Sequence, residues 1–181
     1  MSKTLKITLD IPMSINALYG RNKFGSVYMK KEGKQYKEKM DKVVKQSVEE
    51  QGWIKTKANE FVYMDEVVYM NCKGRDSDNL KKLTQDVITE SGVVWEDDSY
   101  CLPRTHRIFI DADNPRLELE ISRTGFVGIF ESDEMYNSLI LSNCSKCKRG
   151  KKGNCSIHKN ALDNRIQEEI DIVNLTCSKK K

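Results

Sequence analysis

Carboxylate side chains are concentrated in two short segments that flank one predicted helix. Asp76 and Asp78 lie where a strand-like run over residues 61–72 stops and a helical pattern begins. Gly92 favours a turn at the end of that helix, and three more acids follow it: Glu96, Asp97 and Asp98. We expect the turn to carry the second acidic segment back toward the first.

Converging carboxylates repel one another unless a cation lies among them. Oxygen ligands that leave positions for water and a substrate phosphate suit Mg²⁺ or Mn²⁺, so the pattern indicates metal-assisted phosphodiester hydrolysis. The alternative is that Asp76 or Asp78 only caps the helix, since Asp is a common N-cap residue.

The two acidic segments belong to a longer pattern, R-D-x-D-N-L-x-K followed by D-x-I and G-V-x-W-x-D-D-S. This pattern resembles the RusA family of Holliday junction resolvases, which are dimeric Mg²⁺-dependent endonucleases that cut four-way DNA junctions. The resemblance covers roughly Leu5 to Arg123. The matching residues are Arg75, Asp76, Asp78, Asn79, Leu80, Lys82, Asp86, Gly92, Val93, Trp95, Asp97, Asp98 and Ser99.

The resemblance implies a role for each residue at the matching positions. Asp76, Asp78 and Asp98 would be the catalytic acids that bind the metal. Lys82 would be the essential cation beside the scissile phosphate.

The resemblance also implies supporting residues. Asn79 and Asp97 would support the catalytic acids. The segment Ile11–Tyr19 is similar to the family's P-P-S-x-N segment, with Met13 where a second proline is usual, and Asn16 would then line the site.

Hydrophobic periodicity predicts the order strand, helix, strand, helix, strand, strand. The predicted elements are a strand over Lys3–Ile11, a helix between Gly33 and Gly52, a strand over Phe61–Cys72, a helix from about Asp78, and strands over Thr105–Asp111 and Arg116–Arg123. This order favours an α+β fold in which helices pack on a mixed β-sheet, as the resemblance also implies.

Positive charge is unevenly distributed. Residues 142–181 contain ten Lys and Arg against four Asp and Glu, an excess of +6, whereas the whole chain has a net charge of +4. Lys and Arg near phosphates supply affinity for nucleic acid. The predicted DNA-binding residues are Arg21, Lys23, Arg75, Lys82, Lys148, Arg149, Lys151 and Lys152.

Four of the six cysteines follow residue 143. The spacing Cys144-x2-Cys147-x7-Cys155-x2-His158 is close to that of a zinc knuckle, and four protein ligands would make the Zn²⁺ structural. Cys177 is the alternative fourth ligand. A segment so small and polar is expected to fold on its metal, with a helix over residues 159–172 docked on the zinc turn.

These expectations divide the chain into a nuclease domain (1–124), a connector (125–142) and a basic zinc-binding tail (143–181). We expect a cytoplasmic protein of a bacterium or a phage-infected cell, because the chain lacks a signal peptide or a long apolar run. The predicted function is cleavage of Holliday junctions or related branched DNA by a Mg²⁺-dependent homodimer in recombination or repair. The alternative is a non-catalytic zinc-containing DNA-binding protein with the same fold.

Overall fold

The computed structural model describes residues 4–11, 18–74 and 78–180, without the side chains of Asp78 and Asn79. The body lies within residues 1–58 and 62–123, and the C-terminal unit comprises residues 59–61 and 124–181. The elements of the body are β1 (Thr4–Asp10), β2 (Tyr19–Arg21), β3 (Val27–Met29), α1 (Lys31–Gln51), β4 (Val62–Met70), α2 (Asp78–Ser91), a 3₁₀ helix (Asp98–Tyr100), β5 (Cys101–Ile110) and β6 (Arg116–Arg123).

Alternating apolar and polar residues in β1, β4 and β6 build a sheet with one buried face. The strand order is β1-β6-β4-β5; β6 is antiparallel to both of its neighbours, and β5 is parallel to β4. The mixed sheet with packed helices confirms the predicted α+β fold. Its buried residues are Leu5, Ile7, Leu9, Val62, Met64, Val68, Met70, Leu117, Leu119 and Ile121.

Helices α1 and α2 supply the other half of this core. Met40 and Val44 of α1 and Val87 and Ile88 of α2 are buried in the same apolar cluster as the strand residues. Both helices were expected from their apolar stripes, because residues three and four positions apart share one face of a helix. Their burial on the sheet is what gives these amphipathic helices most of their stability.

The predicted end of α2 is confirmed at Gly92. This residue has φ +71°, and its N–H donates to the Thr89 carbonyl at 3.0 Å. A left-handed conformation just beyond the last turn favours glycine. The chain therefore reverses direction at this point.

Two buried tryptophans hold the segment after Gly92 against the body. Trp53 Nε1 donates to the Val94 carbonyl at 3.0 Å, and Trp95 Nε1 donates to Thr89 Oγ1 at 2.7 Å. The Thr56 N–H also donates to the Val94 carbonyl at 3.1 Å. These bonds fix the path that leads to Asp97 and Asp98.

The other face of the sheet carries charged pairs. Arg104 donates two hydrogen bonds of 2.6 Å to the Asp65 carboxylate, and His106 Nε2 lies 2.6 Å from Asp65 Oδ1. Lys6 and Glu120 form an exposed ion pair on the same face at 3.4 Å.

Strand β5 begins at Cys101, four residues before the predicted start, because it pairs in parallel with β4 from Val62 onward. Between β1 and α1, residues 19–29 form a short hairpin that periodicity did not predict, in which β2 pairs with β3. Both differences come from strand pairing, which local periodicity does not report.

The C-terminal unit has its own small core of Phe130, Leu139, Ala161 and Ile170. The first two come from the segment that we expected to be a connector. The elements of this unit are α3 (Asp133–Ser142), a second 3₁₀ helix (Cys144–Lys146), α4 (Lys148–Lys151), α5 (Ser156–Leu162), β7 (Ile170–Asp171) and β8 (Thr176–Cys177).

The helix predicted over residues 159–172 is wrong. Helix α5 ends at Leu162, and Asn164 has φ +60°. Ile166 is 77% exposed, whereas Ile170 pairs with Cys177 in the β7–β8 hairpin. The left-handed residue stops the helix, and the hairpin takes the rest of the segment.

None of the helices in the described ranges combines the length and the apolarity needed to cross a lipid bilayer.

Candidate active site

The two halves of the acidic pattern lie on neighbouring elements. Asp78 is the first residue of α2, and Asp98 is the first residue of the 3₁₀ helix, which packs against α2. The side chain of Asp78 and the whole of Asp76 lie outside the described residues, as do Asn16, Arg75 and the side chain of Asn79.

Asp97 and Asp98 are adjacent but have different surroundings. Asp97 caps the 3₁₀ helix, because its Oδ1 accepts a hydrogen bond from the Ser99 N–H at 2.9 Å. Hydrogen bonds from the Ser99 side chain and backbone hold the pKa of Asp97 below its usual value. Asp97 therefore has the kind of helix-capping role that we considered above for Asp76 or Asp78.

Asp98 lies on the side of α2 that carries Gln85. Burial raises the pKa of the Cys101 thiol, a hydrogen bond with Gln85 lowers it, and the negative charges of Asp98 and Glu66 raise it; the net result is a pKa of about 12. All three polar groups are thus close to Cys101. Gln85 is seven residues beyond Asp78, which is a rise of about 10 Å along a helix.

Glu66 is a buried carboxylate that the sequence analysis missed. Its residue is 2% exposed; the Thr105 hydroxyl donates to Oε1, and Lys81 Nζ lies 3.8 Å from the same oxygen. The signal was present in β4, V-Y-M-D-E-V-V-Y-M, where Glu66 occupies a position that faces the core. A carboxylate so deeply buried requires partners.

Lys81 and Lys82 have different environments. Lys81 points toward Glu66 and is partly covered, whereas Lys82 is exposed. Lys82 lines a cavity of about 90 Å³ together with Tyr19 of β2, Leu83 and Asp86. The predicted cation is therefore accessible to a ligand.

The β2–β3 hairpin presents cations and an aromatic ring. Arg21 and Lys23 are exposed, Phe24 is 80% exposed, and Lys23 Nζ lies 5.1 Å from the centre of the Phe24 ring. Asn22 Oδ1 organises the turn by accepting from the N–H groups of Phe24 and Ser26 at 2.9 and 3.0 Å. Cations with exposed aromatic rings are typical of surfaces that bind single-stranded nucleic acid.

The four basic residues that we predicted in the C-terminal unit are all exposed: Lys148, Arg149 and Lys151 on α4 and Lys152 just after it.

The described residues contain no group of side chains that is already arranged as a metal site. Within residues 4–11, 18–74 and 78–180, no group of three or more His, Cys, Asp or Glu side chains is placed to hold a metal ion.

The four cysteines of the C-terminal unit nevertheless lie near one another. Burial raises the pKa of the Cys144 thiol, and the negative charges of Cys155, Cys177 and Cys147 raise it further. The predicted ligand His158 faces Tyr136 instead: Nε2 lies 3.1 Å from the tyrosine hydroxyl, and the two rings stack.

Comparison with known proteins defines the class of the body. The sequence model of the RusA endodeoxyribonuclease family matches residues 12–122. The chain therefore belongs to the RusA family, whose activity is that of a Holliday junction resolvase. A comparison with curated proteins finds no match.

Glu66→Ala should lower the free energy of unfolding by about 2–3 kcal/mol, because it removes the partner of the Thr105 hydroxyl and of Lys81. The matched control is Glu120→Ala, which removes an exposed partner of Lys6 on the same sheet and should change stability by less than about 1 kcal/mol. Urea unfolding of the two variants measures both values. Equal losses would show that Glu66 is no more important to the fold than a surface carboxylate.

Proposed function

We propose that the protein is a Mg²⁺-dependent endonuclease that cuts four-way junctions or related branched DNA in recombination or repair. The observation that carries this proposal is the family match over residues 12–122, which includes both acidic segments. The packing of the Asp98 segment against α2, which begins at Asp78, supports it.

Asp76, Asp78 and Asp98 are the proposed metal ligands. Their carboxylate oxygens fit a hard divalent cation, and the use of the Asp97 carboxylate in a helix cap supports the choice of Asp98 over Asp97 as the ligand. A bound Mg²⁺ would supply an activated water and neutralise charge on the scissile phosphate. Asn79, Asp97 and Asn16 are the proposed supporting residues.

The exposed cations are assigned to DNA binding. Lys82 would stabilise the charge that develops on the scissile phosphate. Arg21 and Lys23 on the hairpin would contact the backbone beside it, as would Arg75, and the basic residues of the C-terminal unit would add affinity that depends on salt.

We propose a homodimer as the functional form, acting in the cytoplasm of a bacterium or an infected host cell. A two-fold axis would present two equivalent sites to the two opposed strands of a junction.

The non-catalytic alternative requires only DNA binding, so a cleavage assay distinguishes it from the proposed endonuclease. Purified protein should cut a labelled four-way junction with Mg²⁺ and leave it intact with EDTA. A Y-fork and a linear duplex, assayed in parallel, identify the substrate class, and binding without cleavage in any metal would favour the alternative.

Asp98→Asn should abolish cleavage, with a loss of at least ~100-fold, because it removes the charge of a metal ligand while keeping its volume. The matched control is Asp97→Asn, which should keep most of the activity because Asn is as good a helix cap as Asp. Single-turnover cleavage of the four-way junction measures both rates. If Asp98→Asn cuts at the parent rate, Asp98 is not a ligand.

Alanine substitutions of the neighbouring residues Lys81 and Lys82 should affect different properties of the protein. Lys82→Ala should reduce the cleavage rate by ~100-fold or more with little change in stability, since its exposed ammonium serves the phosphate. Lys81→Ala should instead lower the melting temperature, because it leaves the buried Glu66 with one partner fewer. Cleavage kinetics and thermal unfolding of both variants test the pair. A Lys82→Ala protein that melts earlier and cuts normally would make Lys82 structural.

A further inference from the structure

The four cysteines of the C-terminal unit line one small cavity. Cys144, Cys147, Cys155 and Cys177 border a space of about 20 Å³, and none of these four cysteines is in a disulfide. A cavity needs about 10–15 Å³ to hold one water-sized sphere. The space therefore has room for a single small ion surrounded by four thiols.

A tight turn brings the first two thiols together. The Cys147 N–H donates to the Cys144 carbonyl at 3.2 Å, and α4 follows at once. Gly150 of α4 lies so close that a β-carbon there would be 2.3 Å from the Cys144 carbonyl oxygen. Only glycine permits this approach, so the backbone of α4 packs directly against the backbone of the turn at residues 144–147.

The β7–β8 hairpin brings the last thiol back to this turn. Cys177 pairs with Ile170, and the Cys177 N–H donates to Asn143 Oδ1 at 3.2 Å. Asn143 Nδ2 donates to the Leu175 carbonyl at 2.8 Å. Asn143 is 5% exposed and directly precedes Cys144. One buried amide thus connects the strand of Cys177 to the turn of the first cysteine pair.

His158 has a different role. Its ring stacks on Tyr136 with 5.8 Å between ring centres and 12° between planes, and Nε2 is within hydrogen-bond distance of the Tyr136 hydroxyl. Tyr136 in turn packs against Phe130, a core residue of the unit. His158 is therefore part of the packing around that core, although it is closer in sequence to Cys155 than Cys177 is.

We propose that Cys144, Cys147, Cys155 and Cys177 bind one structural Zn²⁺, with Cys177 as the fourth ligand in place of His158. Four thiolates with Zn²⁺ carry a net charge of about −2, and three cations line the same cavity: Arg149, Lys179 and Lys180. Zn–S bonds of about 2.3 Å require the sulfurs to approach to about 3.8 Å.

The test is the zinc content of full-length variants purified under reducing conditions without added chelator. The parent should contain about one Zn²⁺ per chain. His158→Ala should retain it, even if loss of the Tyr136 contact lowers the melting temperature. Cys177→Ser should lose most of it. Cys72→Ser is the matched control, because Cys72 is an exposed cysteine of the body and should not affect zinc content.

A second readout uses Co²⁺ in place of Zn²⁺. The thiolate-to-cobalt absorption of the parent should fall in Cys177→Ser and stay unchanged in His158→Ala. The assignment is overturned if the reduced parent contains no zinc, or if zinc is retained in Cys177→Ser and lost in His158→Ala.

Hydrogen exchange of the parent with and without a chelator tests the structural role without relying on a variant. Chelation should speed exchange in the turn at residues 144–147 and in the β7–β8 hairpin, because metal binding orders both. Exchange in β1, β4 and β6 should not change. Unchanged exchange at residues 144–177 after the zinc has been removed would overturn the structural role.

Discussion

The parallel pairing of β4 with β5 is the constraint on which the position of the acidic pattern depends. Parallel neighbours cannot be joined by a tight turn and need a long crossover. In this protein the crossover is residues 71–100, and it contains α2 and both acidic segments. Because α2 must then cover the buried face of the sheet, its apolar stripe and its two ends are positioned by one strand pairing.

Burial of α2 on the sheet also explains the polar contacts under it. Glu66 faces the core from the middle of β4, and its carboxylate meets Lys81 of α2 and Thr105 of β5. A buried ion pair contributes little net stability compared with apolar packing, but it penalises arrangements that leave one charge unpaired. Lys82, the next residue of α2, lines a cavity with Tyr19 instead.

Most elements of the body were predictable, because alternation and helical spacing are local properties of the sequence. Partners were not. Periodicity identified β4 and β5 as strands without showing that they are parallel, and it showed a core position at Glu66 without naming its partners. In the C-terminal unit, proximity in sequence favoured His158, whereas the β7–β8 hairpin returns Cys177 from far along the chain. The helix predicted over residues 159–172 was wrong because Ile170 belongs to that hairpin.

The Asn143 contacts have a consequence for the origin of the C-terminal unit. Because one side chain joins the start of the cysteine segment to its last strand, the segment is closed at its own two ends. The core of the C-terminal unit begins at Phe130, which lies beyond the family match that ends at residue 122. A segment that is closed at its own ends can be gained or lost with little disturbance of the rest of the chain. Relatives of this nuclease should therefore differ by the presence or absence of the whole module and rarely contain a fragment of it.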